Sequence, residues 1–385
     1  MKSIGALALL AALPAAAATF KVTLLVPADD TRLERSRVER AVLGQPGGPA
    51  TDGLGMALAD GKFELESAGA KVELATVEVA DAAAARTAAV AAEKAGAVAL
   101  LTDLPAAWAL AAADAAPKLP ALNLSETSDA LRGADCRRNL YHLIPSERMR
   151  ADALAQSLVA RKWSGVLLLT GPSAADQARG AVAQAAIKRY GLKLVAAKPF
   201  KLSADPRERD LANPLLLTNP SGGTYDVVWV VDSDGEFAQM LPYRIALPRP
   251  VVGDGGLVPV AWSPKFERFG APQVARRFAK AAKRPMAAPD WASWMAGKAL
   301  VAAATAAPKG PAAAFQKALV EVELDGSKGV EMSFRPWDGQ LRQPVLLSDG
   351  QAVIGTAPID GLLHPKNNLD TLGNDAPEKL CKARS

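Results

Sequence analysis

The chain has 385 residues, half of them hydrophobic, 22% charged and 5% aromatic, which is enough for one large or two ordinary globular domains and excludes disorder for the bulk. Its 45 Lys and Arg against 40 Asp and Glu leave a net charge of +5, too thin an excess to name a nucleic-acid partner. With two His and two Cys, a multi-His metal centre, an iron–sulfur cluster and a zinc ribbon lack ligands, so any metal would have to be held by oxygen.

Residues 1–18 read as a cleaved export signal: Lys2, an apolar run from Ile4 to Leu13, and an A-x-A pattern before Thr19. No later stretch has the roughly 18 uninterrupted apolar residues of a membrane span. A periplasmic location follows, and in that oxidising compartment Cys136 and Cys381 are expected to pair and tie the C-terminal tail to the middle of the chain. The long loop so closed is worth about 4 to 5 kcal/mol at most in the chain-entropy model. A catalytic thiol is the alternative, but no CxxC or nucleophile context surrounds either Cys.

Along the mature chain, periodicity predicts a strand over 21–26, a helix over 53–67, and a strand over 71–79. A helix over 82–95, a strand over 97–101, a helix over 106–116 and a strand over 120–124 follow. The pattern restarts with a helix over 151–161, a strand over 165–170, a helix over 175–190 and a strand over 192–200. Next come a strand over 226–231, a helix over 235–245 and a brief strand over 250–252. Helices over 272–283 and 291–306 precede strand-like 329–334, 344–347 and 351–354. The expected fold class is α/β: two Rossmann-like lobes with parallel sheets joined by a three-strand hinge.

This order of elements resembles that of a type I periplasmic binding protein, the class containing the branched-chain amino-acid receptors of ABC importers. The resemblance implies crossings between lobes at 142–146, 259–262 and 325–329. Lobe one would then be 19–142 plus 262–328, lobe two 143–261 plus 329–363, and 364–385 a disulfide-tied tail. Three segments carry a narrower resemblance: 136–149 (CRRNLYHLIPSERM), 248–262 (PRPVVGDGGLVPVAW) and 364–375 (HPKNNLDTLGND). They are similar to binding proteins associated with pyrroloquinoline-quinone (PQQ)-dependent alcohol dehydrogenase systems. That likeness implies an ABC transporter permease and a quinoprotein dehydrogenase system as partners, and admits a lanthanide-related ligand.

In open α/β sheets, ligands sit beyond the carboxyl ends of the strands. The loops there hold Asp29, Asp30, Asp103, Glu126, Asp129, Asp176, Asp232, Asp234, Glu236 and Asp254, with no Lys or Arg in the same windows. Crowded carboxylates call for a compensating cation, and Asp232 and Asp234, alternating before Gly235, are the expected oxygen ligands of a metal. The competing reading is that these acids cap helix N-termini. For an amino-acid ligand, by likeness to relatives, Thr102, Ser125 and Thr127 would hold the carboxylate and Asp254 the ammonium; Asp103 beside Thr102 argues against that. Trp262, at a crossing, is a candidate aromatic lid, whereas Trp229 is expected in the core.

The run Arg32 to Arg40 reads as a solvated helix face, and His142 and His364 as structural. The glycines at 253–256 lack dinucleotide spacing, and no G-x-S-x-G or HExxH is present, so no enzyme activity is expected and no cofactor is required. The expectation is a substrate-binding protein of an ABC importer. The alternatives are an amino-acid or organic-cofactor receptor, and a periplasmic chaperone or sensor for a quinoprotein dehydrogenase.

Overall fold

The computed structural model describes residues 17–34 and 47–384. The expected export signal lies almost wholly outside the described residues, as do residues 35–40 of the basic run. The first lobe is built on β1 (Ala18–Pro27), β2 (Ala70–Val79), β3 (Ala97–Thr102), β4 (Ala121–Asn123) and β5 (Leu140–His142). All pairings are parallel, in the order β2-β1-β3-β4-β5. The crossovers are α1 (Ala50–Asp60) with α2 (Lys62–Ala68), then α3 (Ala82–Lys94) and α4 (Ala106–Ala115). Strand alternation sends Val22 and Leu24 into one core and Leu25 into a second core under α3 and α4, so both faces of the sheet are covered.

The helix expected over 53–67 is two helices broken at Gly61. A Cβ there would lie 2.6 Å from a Val301 methyl, so only glycine lets the chain turn against that side chain. Strand β5 was not expected, because three residues are too few to show a period.

The second lobe repeats the plan with α5 (Glu147–Ala160), β6 (Gly165–Thr170), α6 (Ala174–Arg189), β7 (Lys193–Pro199), α7 (Pro214–Leu217), β8 (Val227–Val231), α8 (Glu236–Met240) and β9 (Val251–Gly253). Its sheet is parallel in the order β7-β6-β8-β9. The helix expected over 235–245 stops at Met240, where Pro242 enters a 3₁₀ turn.

The chain then runs through β10 (Val258–Val260) back to the first lobe, which α9 (Ala271–Ala282), α10 (Ala288–Ala306) and α11 (Ala312–Val320) complete. A hairpin of β11 (Leu324–Asp325) and β12 (Glu331–Met332) occupies the place where the final crossing was expected. Met332, Phe334 and Leu341 remain in the first core, and beyond them the strand alternates, Leu346 facing that core while Val345 and Leu347 face the core of lobe two. What holds the hairpin is Trp291: its indole N–H donates to Gly326 O at 3.0 Å and its ring lies 3.6 Å from Lys328 Nζ, pinning the hairpin to lobe one. Strands β13 (Val345–Ser348) and β14 (Val353–Ala357) then form an antiparallel sheet with β10.

Buried polar groups fasten the three crossings to one another. Leu341 N donates to His142 O at 2.8 Å, Gln343 Nε2 to Leu143 O at 2.7 Å, and Arg150 Nε to Pro259 O at 3.1 Å. Arg132, 2% exposed, donates to Gln340 and to Ile144 O. A fourth tie is the tail. In it Asp370 accepts from fully buried Arg335, and Gly373 N donates to Asp152 of lobe two. Further on, Asn374 donates to Arg132 O, and Cys381 forms a disulfide with Cys136 of lobe one.

Candidate functional site

The loops after β1, β3 and β4 and those after β6, β8 and β9 leave the carboxyl ends of parallel strands, and these hold the acids singled out above. Their side chains are mostly engaged. Arg32 bridges two of them, with Nη2 2.6 Å from Asp30 and Nη1 2.8 Å from Asp103. Burial opposes ionisation of Asp30, but the bonds and charge of Arg32 outweigh it and hold its pKa below the ordinary range. Arg32 is exposed, as expected of a solvated face, and its guanidinium also joins the β1 and β3 loops.

On lobe two, Arg179 of α6 plays the matching part. Its Nη2 lies 2.6 Å from Asp254 and its Nε 3.2 Å from Glu147, the first residue of α5. Glu147 also takes Arg150 Nη1 at 3.1 Å. Burial opposes the charge of Glu147, but Arg150, Arg179 and the Thr127 hydroxyl bring its pKa down to about 2. The other oxygen of Asp254 accepts from Asp232 N at 2.7 Å. An ammonium group approaching Asp254 would therefore meet a guanidinium already in place. Glu147, Arg150, Arg179, Asp254 and Trp229 line a water-sized void of about 30 Å³.

Several of the remaining acids cap backbone. Glu126 accepts from Ala106 N at 3.0 Å and Ser128 N at 2.8 Å, closing the start of α4. Asp129 accepts from Arg148 N at 3.1 Å across the first crossing, and burial raises its pKa despite that bond and the Ser146 hydroxyl. Asp176 belongs to the capping box of α6 and accepts from Ser233 N at 2.7 Å. Burial works against its charge, yet the Ser233 and Ser173 bonds keep its pKa low. Asp232 accepts from Ala238 N at 2.9 Å at the start of α8. Burial raises its pKa, helped by the nearby charges of Asp254 and Asp176. Asp29, Asp234 and Glu236 are exposed, and among the described residues no group of three or more His, Cys, Asp or Glu side chains could hold a metal.

The hydroxyl of Thr102 is fully buried and directed at Leu122 O, 3.5 Å away, while Ser125 and Thr127 stand half-buried beside Asn123, whose side chain shapes their turn. Trp262 is not a lid: it is 1% exposed and stacked against Trp291 in the first core, centroids 6.4 Å apart. His142 is buried between Asn123 and Leu131 O, and burial drives its pKa well below the usual value, so it stays neutral and structural.

The arginines that complete the picture, Arg32, Arg132, Arg150 and Arg179, lie outside the strand-end windows. Only their three-dimensional proximity reveals them, although two helical charges three apart, Glu147 and Arg150, are a local signal that could have been read.

A family model described as periplasmic binding protein matches residues 44–218. No curated protein matches the chain. Among solved structures, an ABC transporter substrate-binding protein from Sphaerobacter thermophilus superposes with a TM-score of 0.70 at 16% identity, over 92% of this chain and 100% of that one. A solute-binding protein of an ABC transporter from R. palustris, in complex with benzoate, gives 0.63 at 16% identity over 88% and 96%. A substrate-binding protein from Desulfitobacterium hafniense in complex with Leu gives 0.66 at 14% identity over 87% and 99%. The fold is that of type I periplasmic binding proteins.

Proposed function

We propose that the chain is a periplasmic substrate-binding protein that captures a small organic ligand between its lobes and presents it to an ABC transporter permease. The observation that carries this reading is the architecture of two parallel sheets, each followed at its strand ends by acid-bearing loops; a gap between those loops, with the lobes closing about the crossings, is the ligand site of this reading. The family match over 44–218 supports it. So do neighbours holding benzoate and Leu, both small carboxylates. Binding is the whole activity, and no cofactor enters it.

Thermal denaturation against amino acids, aromatic carboxylates and divalent and trivalent cations tests the reading. A true ligand at a hundredfold excess over Kd adds about 2.7 kcal/mol to stability. A panel in which nothing stabilises the protein, together with no small molecule in native mass spectra of periplasmic material, overturns it.

A cationic or lanthanide-related ligand is the second reading, favoured by exposed Asp234 and Glu236 standing beside Asp232. It faces a cost, because Arg32 and Arg179 already neutralise Asp30, Asp103 and Asp254. Calorimetry with lanthanum and calcium decides it: saturable heat abolished by Asp232→Asn with Asp234→Asn supports the cation, and an unchanged isotherm removes it. The link to PQQ-dependent alcohol oxidation rests on segments 136–149, 248–262 and 364–375. Co-purification of a quinoprotein dehydrogenase would support it.

A further inference from the structure

We infer that the outer face of α9 is a docking surface for an anionic phospholipid bilayer, a contact separate from ligand capture in the gap. The whole chain carries a net charge of +5, yet the segment 265–284 alone holds Lys265, Arg268, Arg276, Arg277, Lys280, Lys283 and Arg284 against the single Glu267. The excess positive charge of the molecule is thus concentrated on one surface helix and the loop before it.

The helix explains how those charges are displayed. Ala271, Val274 and Phe278 are buried in the first core, which fixes the rotation of α9. Arg276 and Lys280 lie four apart on the opposite side, Lys283 follows as the C-cap of the helix, and all three are exposed. Arg277 turns aside to Asp60 at 3.1 Å, and Arg284 turns inward to Asp52 and Asp290. Lys265, Arg268, Arg276, Lys280 and Lys283 have no ion-pair partner among the described residues. Phe269, 57% exposed with φ of +52°, lies two residues before the helix and tilts against Phe266.

The chemistry of this surface selects its partner. Its charges share one sign along the last two or so helical turns, and the apolar side of the helix is already spent on the core, so α9 cannot insert deeply. Such a stripe matches a diffuse sheet of negative headgroups, with Phe269 as the one apolar group at the contact. Each basic residue held near an anionic surface is worth about fivefold in partition.

Sedimentation with vesicles of equal parts phosphatidylglycerol and phosphatidylcholine tests the inference on the full chain. Binding is expected to the mixed vesicles and not to pure phosphatidylcholine, and to weaken as salt is raised. Replacing Arg276→Gln, Lys280→Gln and Lys283→Gln together lowers the partition about a hundredfold. Lys188→Gln with Lys193→Gln, on the other lobe, leaves it unchanged. Equal loss in both variants, or no binding by the wild type, overturns the inference. So does binding to polyglutamate in the absence of vesicle binding, which assigns the stripe to an acidic polypeptide. Because the three residues are exposed, an unchanged melting temperature shows that the variant is folded.

Discussion

Two charged regions of the molecule differ in what their charges face. Around the gap, the acids are matched from within: Arg32 with Asp30 and Asp103, Arg179 with Asp254 and Glu147, backbone amides with Glu126, Asp176 and Asp232. On α9, five cations have no such match among the described residues. Residue type alone does not separate the two, since both are runs of ionisable side chains. Burial does: a charge taken out of water must find a counter-charge or a donor, whereas an exposed one need not. Charges of the first kind hold the fold, and those of the second are available to something outside it.

This contrast can be broken or sharpened by substitution. The largest effect is expected at Arg335, which is fully buried against Asp370 and three tail carbonyls. Arg335→Met leaves Asp370 with only Arg342, and costs about 3 to 5 kcal/mol in urea denaturation. Opening the disulfide with Cys136→Ser and Cys381→Ser is expected to cost about 2 to 4 kcal/mol, and a reductant reproduces the loss on the wild type.

Arg179→Met comes next, at about 2 kcal/mol, because it leaves Asp254 with the Asp232 amide alone while Glu147 keeps Arg150. The pH profile sharpens this point. Glu147 has a folded pKa of about 2 against an ordinary 4.5, so its stabilisation is complete above pH 4.5 and is lost as pH falls towards 2. Glu147→Gln flattens that part of the stability curve, and wild type and variant converge at its acid end. Smallest of all, the triple substitution on α9 is expected to move stability by no more than about 0.5 kcal/mol.

Much of the architecture was legible in the sequence. The runs at 97–101, 166–169 and 227–231 are apolar without interruption, as strands buried on both faces must be, and the helices between them dictate parallel pairing. The positions of the acids followed from the same rule. Their partners did not, because Arg32 and Arg179 reach the gap from elements whose local pattern reads as solvated, and no spacing announces a contact between residues 71 or 75 apart. Trp262 was misread for a related reason: its neighbours in sequence mark a crossing, but its neighbour in space is Trp291. The return of 324–341 along the first core escaped notice because a hairpin of two-residue strands leaves no periodic trace.

The bond between Cys136 and Cys381, 245 residues apart, turns most of the molecule into a covalent ring. All of the second lobe lies inside that ring, together with α9, α10 and α11. A protease that nicks any loop between these two cysteines leaves both pieces attached, so an oxidised sample keeps its mass on a non-reducing gel and separates into fragments only after the thiols are freed.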